Sequence, residues 1–479
     1  MGINGKTRTR VQYIICTGAF LSNCSAGMFN IALVDIAGDY KVGLASAQWV
    51  VTAYLLVISV LLPVMGKLGD IRGRRFVHNL GYFGFALGAL GCALAPSLGW
   101  LIAFRIVQGV GASMYQATNM ALIVSLFPPE KRGRALGMIS TFVAAGSMIG
   151  PSLGGVLIQW ISWEACFWLL AGTALMAWMM AQRYIPKDMP EEQGHIDVTG
   201  ALLFGASLTG LVTAIHLGTE WGWGSLPVVS LLFMFAGCAA GFVMWSLSSR
   251  WGVVSSQAPV GSPQVQEPAS GSPFIDLKLL GDAATNAGIW ITIVTYMAAF
   301  STQLVLPVFL RHELGVPPAM AGLMMMGYPL ALIVASPLFG SLSDKHGSLP
   351  LLTAGLLGMA ATLAALGFLS TSYPMLLLII LIVSLGASMG MITSPNTSLV
   401  MGRVDHGHLG FISSLLALSR NLGMMFGTAA GGALIAGADG YRMVFVLCLA
   451  LVLGSLVLLL VTVRQARHRR HREETVSPS

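Results

Sequence analysis

Pro63-Val-Met-Gly66-Lys-Leu68-Gly-Asp70-Ile-Arg72-Gly73, followed at once by Arg74 and Arg75, joins two long apolar runs. The same outline returns as Pro337-Leu-Phe-Gly340-Ser-Leu342-Ser-Asp344-Lys-His-Gly347, again between two apolar runs. Pro, Gly, Leu, Asp and Gly recur at one constant spacing. A second correspondence has nearly the same offset: Gly146, Gly150 and Gly154 in one run, Gly423, Gly427 and Gly431 in another. Two independent matches make a tandem repeat, and such a repeat in an apolar chain implies two related bundles facing one another.

Working outward, 55% of the 479 residues are hydrophobic and only 9% charged, against roughly 25% charged in a soluble domain. Such a chain cannot cover its own surface in water, so the lipid bilayer is its solvent. Runs of about 20 residues match a hydrocarbon core about 30 Å thick, and helices satisfy their backbone groups within the run. Spans fall near 11–36, 47–66, 76–96, 98–127, 135–160, 165–184, 198–217, 226–247, 284–309, 318–341, 349–370, 374–399, 410–436 and 441–463. The expectation is an all-α integral membrane protein of 14 transmembrane helices, two six-helix bundles plus two extra central helices. Residues 1–190 form the N-terminal bundle and 191–280 the two inserted helices with a Ser/Pro/Gly-rich loop over 250–273. Residues 281–465 form the C-terminal bundle and 466–479 a basic tail, disordered at its end.

The net charge of +7 is explained by topology rather than by nucleic acid. Of the Lys and Arg residues, only Lys41, Arg311 and Arg442 fall in the segments that would face outward, and Arg105 and Arg420 lie within spans. The rest lie in the loops and termini on the other side, which predicts cytoplasmic termini. Arg467–Arg472 then sits near anionic headgroups. The six cysteines lie in apolar segments without metal spacing and read as packing residues. No metal and no cofactor is expected. Gly5-Lys6-Thr7 lacks the upstream glycine and strand of a phosphate loop, and no enzyme signature appears.

Within the spans, Arg105 costs about 2.5–3.5 kcal/mol on insertion scales unless it has a partner or a wet cavity. Gln108, three residues on, shares its helix face; the pair reads as cavity-lining and tied to proton coupling, or as a structural arginine on backbone carbonyls. Arg420-Asn421 needs a cavity or protein contacts for the same reason, and Arg420 joins the candidates for cavity lining and coupling. No Asp or Glu stands near the middle of a span. Those nearest membrane depth are Asp35, Glu164, Glu220, Asp282 and Glu313, of which Asp35 and Glu313 are the preferred proton-carrying candidates. Arg311-His312-Glu313 is either an outer gate or an ion pair. The clusters Met324-Met325-Met326 and Met424-Met425 either line an adaptable pocket or fill the core.

The segment Gly66-Lys-Leu68-Gly-Asp70-Ile-Arg72-Gly73-Arg74-Arg75 resembles the signature loop of the major facilitator superfamily. The resemblance implies a gating latch in which Asp70 meets the N-terminus of a helix in the other half, here one starting near Gly410. The second copy keeps Asp344 and Gly347 but lacks the arginines. The run Gly146-x-x-x-Gly150-Pro151-x-x-Gly154-Gly155 resembles the antiporter motif of the superfamily's exporters. With Trp49, Tyr54, the 128–135 loop and the fourteen-span layout, it points to the drug:proton antiporter branch and the tetracycline-type exporters. One departure stands out. Members of that branch often carry an acid in the first helix ahead of an Asn-x-Ala-Leu-Pro run; here the run is Asn30-Ile-Ala-Leu-Val34, and Ser25 occupies the acid's place. Asp35 follows just beyond.

These readings converge on a monomeric, bacterial inner-membrane exporter of lipophilic small molecules, driven by proton entry through alternating access. One rival is a metabolite or nutrient transporter of the same superfamily that runs without protons. Another is a non-transporting membrane receptor or scaffold, against which the duplicated gating loop argues.

Overall fold

The computed structural model describes residues 5–126, 129–187, 197–247, 283–368, 374–401, 409–435 and 440–476. The N-terminal half holds α1 (Gly5–Asp39), α2 (Leu44–Arg72), α3 (Arg74–Ala93), α4 (Leu98–Leu126), α5 (Pro129–Trp160) and α6 (Glu164–Tyr184). Then come α7 (Val198–Trp221) and α8 (Leu226–Ser246). The C-terminal half holds α9 (Ala283–Val308), α10 (Pro318–Met325), α11 (Gly327–His346), α12 (Ser348–Leu366), α13 (Met375–Met401), α14 (Leu409–Ile435) and α15 (Gly440–Val476). Counting α10 and α11 as one broken span gives the expected fourteen. Eleven described segments are long and apolar enough to cross a membrane, and α4, α5 and α14 add 29, 32 and 27 helical residues.

Lipid as solvent is visible in the packing. Leu226 is 83% exposed and Phe233 75%, and only 6% of the apolar window of α8 is buried. Side chains this apolar and this bare belong against acyl chains.

The internal repeat is physical. Gly73 (φ 95°) links α2 to α3, and Gly347 (φ 85°) links α11 to α12. Both adopt a backbone that glycine takes without a Cβ penalty, so the two signature turns reverse the chain in the same way. The glycine stripes also match. A Cβ on Gly146 or Gly150 would stand 2.5 Å from the Phe20 carbonyl or 2.7 Å from that of Cys24, on α1. A Cβ on Gly423 or Gly427 would strike the carbonyls of Ile293 and Met297, on α9. Thus α5 lies on α1 as α14 lies on α9, backbone against backbone, which only small residues permit.

Three elements differ from expectation. The span near 318–341 breaks at Met326 into α10 and α11. Pro307 near the end of α9 is followed by a single π-helical turn, Phe309–Glu313, a widening that removes one residue's register and turns the side chains after it. The chain beyond Arg464 stays helical to Val476, because an apolar anchor propagates helix into residues such as Arg and Glu that favour it. The loop over 250–273 and Asp282 lie outside the described residues, as do the side chains of Glu220, Asp344 and Arg467–Arg472.

The two extra helices sit over the seam between the bundles: α7 packs on both α2 and α14, and α8 packs on α7. His216 Nε2 of α7 lies 2.7 Å from the Ala45 carbonyl, and its ring meets Trp49 edge-on. Asp197 caps α7 by accepting from the Gly200 amide (2.8 Å) and also accepts from Trp245 of α8 (2.9 Å).

Candidate functional site

Arg105 is the largest side chain with essentially no exposure. Its Nε donates to the Val50 carbonyl (2.8 Å), and its Nη1 to Ser25 Oγ (3.0 Å) and Gln108 Oε1 (2.8 Å). The guanidinium also lies over the rings of Phe29, Tyr54 and Phe167, 4.4, 4.6 and 5.4 Å from their centroids. Helices α1, α2, α4 and α6 therefore all converge on one cation. Every described partner is neutral. A buried cation is made tolerable here by three hydrogen bonds and three ring faces, with the aromatic box supplying what a carboxylate supplies elsewhere. Arg105 and Gln108 do meet; the box of Phe29, Tyr54 and Phe167 was not legible in the sequence. Nη2 of Arg105 and Nε2 of Gln108 have no hydrogen-bond partner among the described residues, and neither has Oδ1 of Asn30, itself 3% exposed.

Beside this lies a polar network that the sequence reading also missed. Tyr115 and Ser22 share a hydrogen bond of 2.6 Å, and Gln116 donates to Ser22 at 3.0 Å. His78, fully buried, places Nδ1 3.0 Å from Thr118 Oγ1, and Tyr82 donates to the Ile14 carbonyl. A histidine within a span was the available signal, since titratable groups in lipid are costly unless used.

The bundles meet at the end of the molecule that carries the α1–α2 connection. Arg311, within the π-helical turn, reaches Asp35 in a two-pronged pair (Nη1–Oδ2 2.6 Å, Nη2–Oδ1 2.9 Å) and donates to the Ile31 carbonyl (2.6 Å). Its side chain is 9% exposed and that of Asp35 27%. Asp35 and Arg311 thus form one interbundle lock. Glu313 is not part of it; it sits 3.5 Å from the Tyr441 hydroxyl and 3.4 Å from His312. At the same end Ser152 donates to the Gly322 carbonyl (3.2 Å), and Gln159 Oε1 accepts from the Ala319 amide (3.2 Å). The glycine that directly follows each stripe, Gly155 or Gly432, faces the seam. A Cβ on Gly155 would strike the Pro318 carbonyl, and one on Gly432 would strike Gln48. Pro151 packs inside this seam, with its carbonyl 2.6 Å from where a Gly322 Cβ would stand.

At the opposite, arginine-rich end, Asp70 pairs with Arg74 of its own turn (3.0 Å). Arg75 donates to the Gln182 carbonyl at the end of α6 (2.6 Å). The expected partner of Asp70 near Gly410 lies where side chains are outside the described residues. Gly66 faces Ala117 across α2 and α4 at ordinary contact distance.

In the C-terminal bundle, Arg420 lines a small cavity of about 30 Å³ with Thr292, Thr295, Tyr296, Thr393, Asn396 and Thr397. Among the described residues, no cluster of His, Cys, Asp and Glu has the makings of a metal site.

The model of the Major Facilitator Superfamily matches residues 15–258 and 289–478. The chain is 32% identical over 425 residues to a riboflavin transporter of Clostridioides difficile, covering 88% of this chain and 87% of that one. It is 29% identical to the multidrug resistance protein Stp of Mycobacterium tuberculosis, over 90% of this chain and 76% of that one. It is 26% identical to a tetracenomycin C resistance and export protein of Streptomyces glaucescens, over 89% of this chain and 76% of that one. With a duplicated helical bundle, paired signature turns and a family match across both halves, the chain belongs to the Major Facilitator Superfamily and is a multi-pass membrane transporter.

Proposed function

We propose that the protein exports lipophilic small molecules from a bacterial cell in exchange for protons, its two bundles rocking to open the path alternately on each side. The arginine-rich end faces the cytoplasm in this reading, as the loop charges imply. The observation that carries it is the lock between Asp35 and Arg311. It joins the two bundles at the external end, one partner is a carboxylate, and that carboxylate is 27% exposed. Protonating Asp35 removes the charge that holds Arg311, so external acid favours opening outward. The kinship with a multidrug resistance protein and a tetracenomycin exporter supports the direction. One charge crossing 100 mV yields about 2.3 kcal/mol, roughly a fifty-fold gradient.

A second reading, a metabolite carrier that runs without protons, is favoured by one contact. Where an acid would stand beside Arg105, the chain offers Ser25 Oγ, which does not titrate. The likeness to a riboflavin transporter points the same way. Cells expressing the protein separate the two. The first reading expects lowered accumulation of tetracenomycin C, restored by a protonophore and by Asp35→Asn. Riboflavin flux that ignores both treatments, with no effect on tetracenomycin C, sinks proton-coupled export in favour of the second.

A further inference from the structure

We infer that Arg420 and Asn396 form a subsite for an anionic oxygen group, a carboxylate or phenolate, on the transported molecule. The inference rests on the proposed function only in taking the bundles to carry a small molecule. Its ground is the contrast between the two intramembrane arginines. Arg105 is tied by three hydrogen bonds and three rings, as a structural arginine must be. Arg420 has no described hydrogen bond or ion pair, yet it lines a cavity 11 residues into α14. A guanidinium keeps its charge at any accessible pH and presents planar donors suited to two oxygens.

The cavity walls fit that ligand. Asn396, 3% exposed, spends its Nδ2 on the Gly288 carbonyl and Thr292 Oγ1, both at 2.9 Å. Its Oδ1 has no described partner, so a buried acceptor lines the same cavity as the Arg420 guanidinium. Thr292, Thr295 and Thr397 spend their hydroxyl protons on carbonyls of their own helices, which leaves Arg420 as the charged donor of the lining. At about 30 Å³ the space holds one or two waters, the size of a carboxylate head. The ring system of a lipophilic acid would lie outside it. A hydroxyl or N–H next to the anionic group would satisfy Asn396 Oδ1. With an arginine and no carboxylate among its lining residues, this cavity favours anions over cations.

The test is equilibrium binding to the purified full-length protein in detergent, read by tryptophan fluorescence, which requires neither transport nor a proton gradient. The probes are 3-hydroxy-2-naphthoate, 2-naphthol and 2-naphthylmethylammonium. We expect the hydroxynaphthoate to bind at least tenfold more tightly than the ammonium compound. Arg420→Gln should erase that preference while leaving 2-naphthol within twofold, and Arg420→Lys should retain part of it. If Arg420→Gln does not fold, Thr397→Asp, a change at an exposed cavity wall, should weaken hydroxynaphthoate binding by a similar factor. Equal or tighter binding of the cation overturns the inference. So does an unchanged preference in whichever of the two variants folds. Anion binding without any export would instead sink the proposed function and leave the subsite standing.

Discussion

Ser25 shows how much one residue changes the chemistry around a buried charge. Its hydroxyl accepts from Arg105 at 3.0 Å, in a place where a carboxylate would have formed an ion pair. A hydrogen bond to a charged group contributes about 1.5–3 kcal/mol in soluble proteins, but polar contacts between membrane helices average nearer 0.6 kcal/mol. Ser25→Ala should therefore lower stability by about 0.5–2 kcal/mol, because Gln108 and Val50 still hold the guanidinium. Arg105→Lys should cost transport at least tenfold, since an ammonium cannot reach three acceptors and three ring faces at once. Ser25→Asp tests the charge argument directly. Its carboxylate would pair with Arg105 while ionised and lose that pair on protonation, so any stabilisation it adds is lost in acid. Melting curves of the detergent-solubilised variant should exceed wild type near pH 7 and converge with it in acid. A variant that melts lower than wild type near pH 7 would mean that desolvation outweighs the new pair.

Helix pairs hold the two bundles by backbone contact, and this makes a prediction at the scale of the element. Gly150 lets α5 approach α1 until an added Cβ would stand 2.7 Å from the Cys24 carbonyl, and Gly427 does the same for α14 on α9. Gly172 on α6 meets nothing within 4 Å. Gly150→Ala and Gly427→Ala should each destabilise by about 1–3 kcal/mol through overpacking. Gly172→Ala should be neutral or gain up to about 1 kcal/mol from helix propensity. Thermal midpoints of the three variants check this, and equal effects at all three positions would contradict the packing assignment. The stripes were legible because glycine at every fourth position has one meaning in an apolar helix. The break at Met326 and the π-helical turn at Phe309–Glu313 were not legible. Each depends on how a helix end is held by its neighbours, and no local pattern encodes that.

For the whole molecule the decisive geometry is a seam closed at one end. Asp35 to Arg311, Ser152 to Gly322 and Gln159 to Ala319 all join the bundles where α1 ends and α10 begins. Alternating access requires these contacts to part in every cycle. Cysteines at Gln159 and Ala319, joined by a short reducible cross-linker, should abolish transport, and a reductant should restore it. Undiminished flux in the cross-linked protein would rule out rocking about this seam. Across that same seam α7 rests on both α2 and α14 and α8 packs on α7, so the pair bridges the two halves.

By itself the sequence determined the solvent, the number of spans, the duplication and the turns that join equivalent helices. Each of these follows from hydropathy, charge placement or the freedom of glycine, properties that a residue carries wherever it stands. It also singled out Arg105, Gln108, Asp35 and Arg420, because a charge at membrane depth is conspicuous in any apolar run. Only the tertiary structure decided their partners. Asp35 lies 276 residues from Arg311, and Ser25 lies 80 from Arg105. Pairing at such separations is set by how whole helices pack, and no periodicity within one helix reports it.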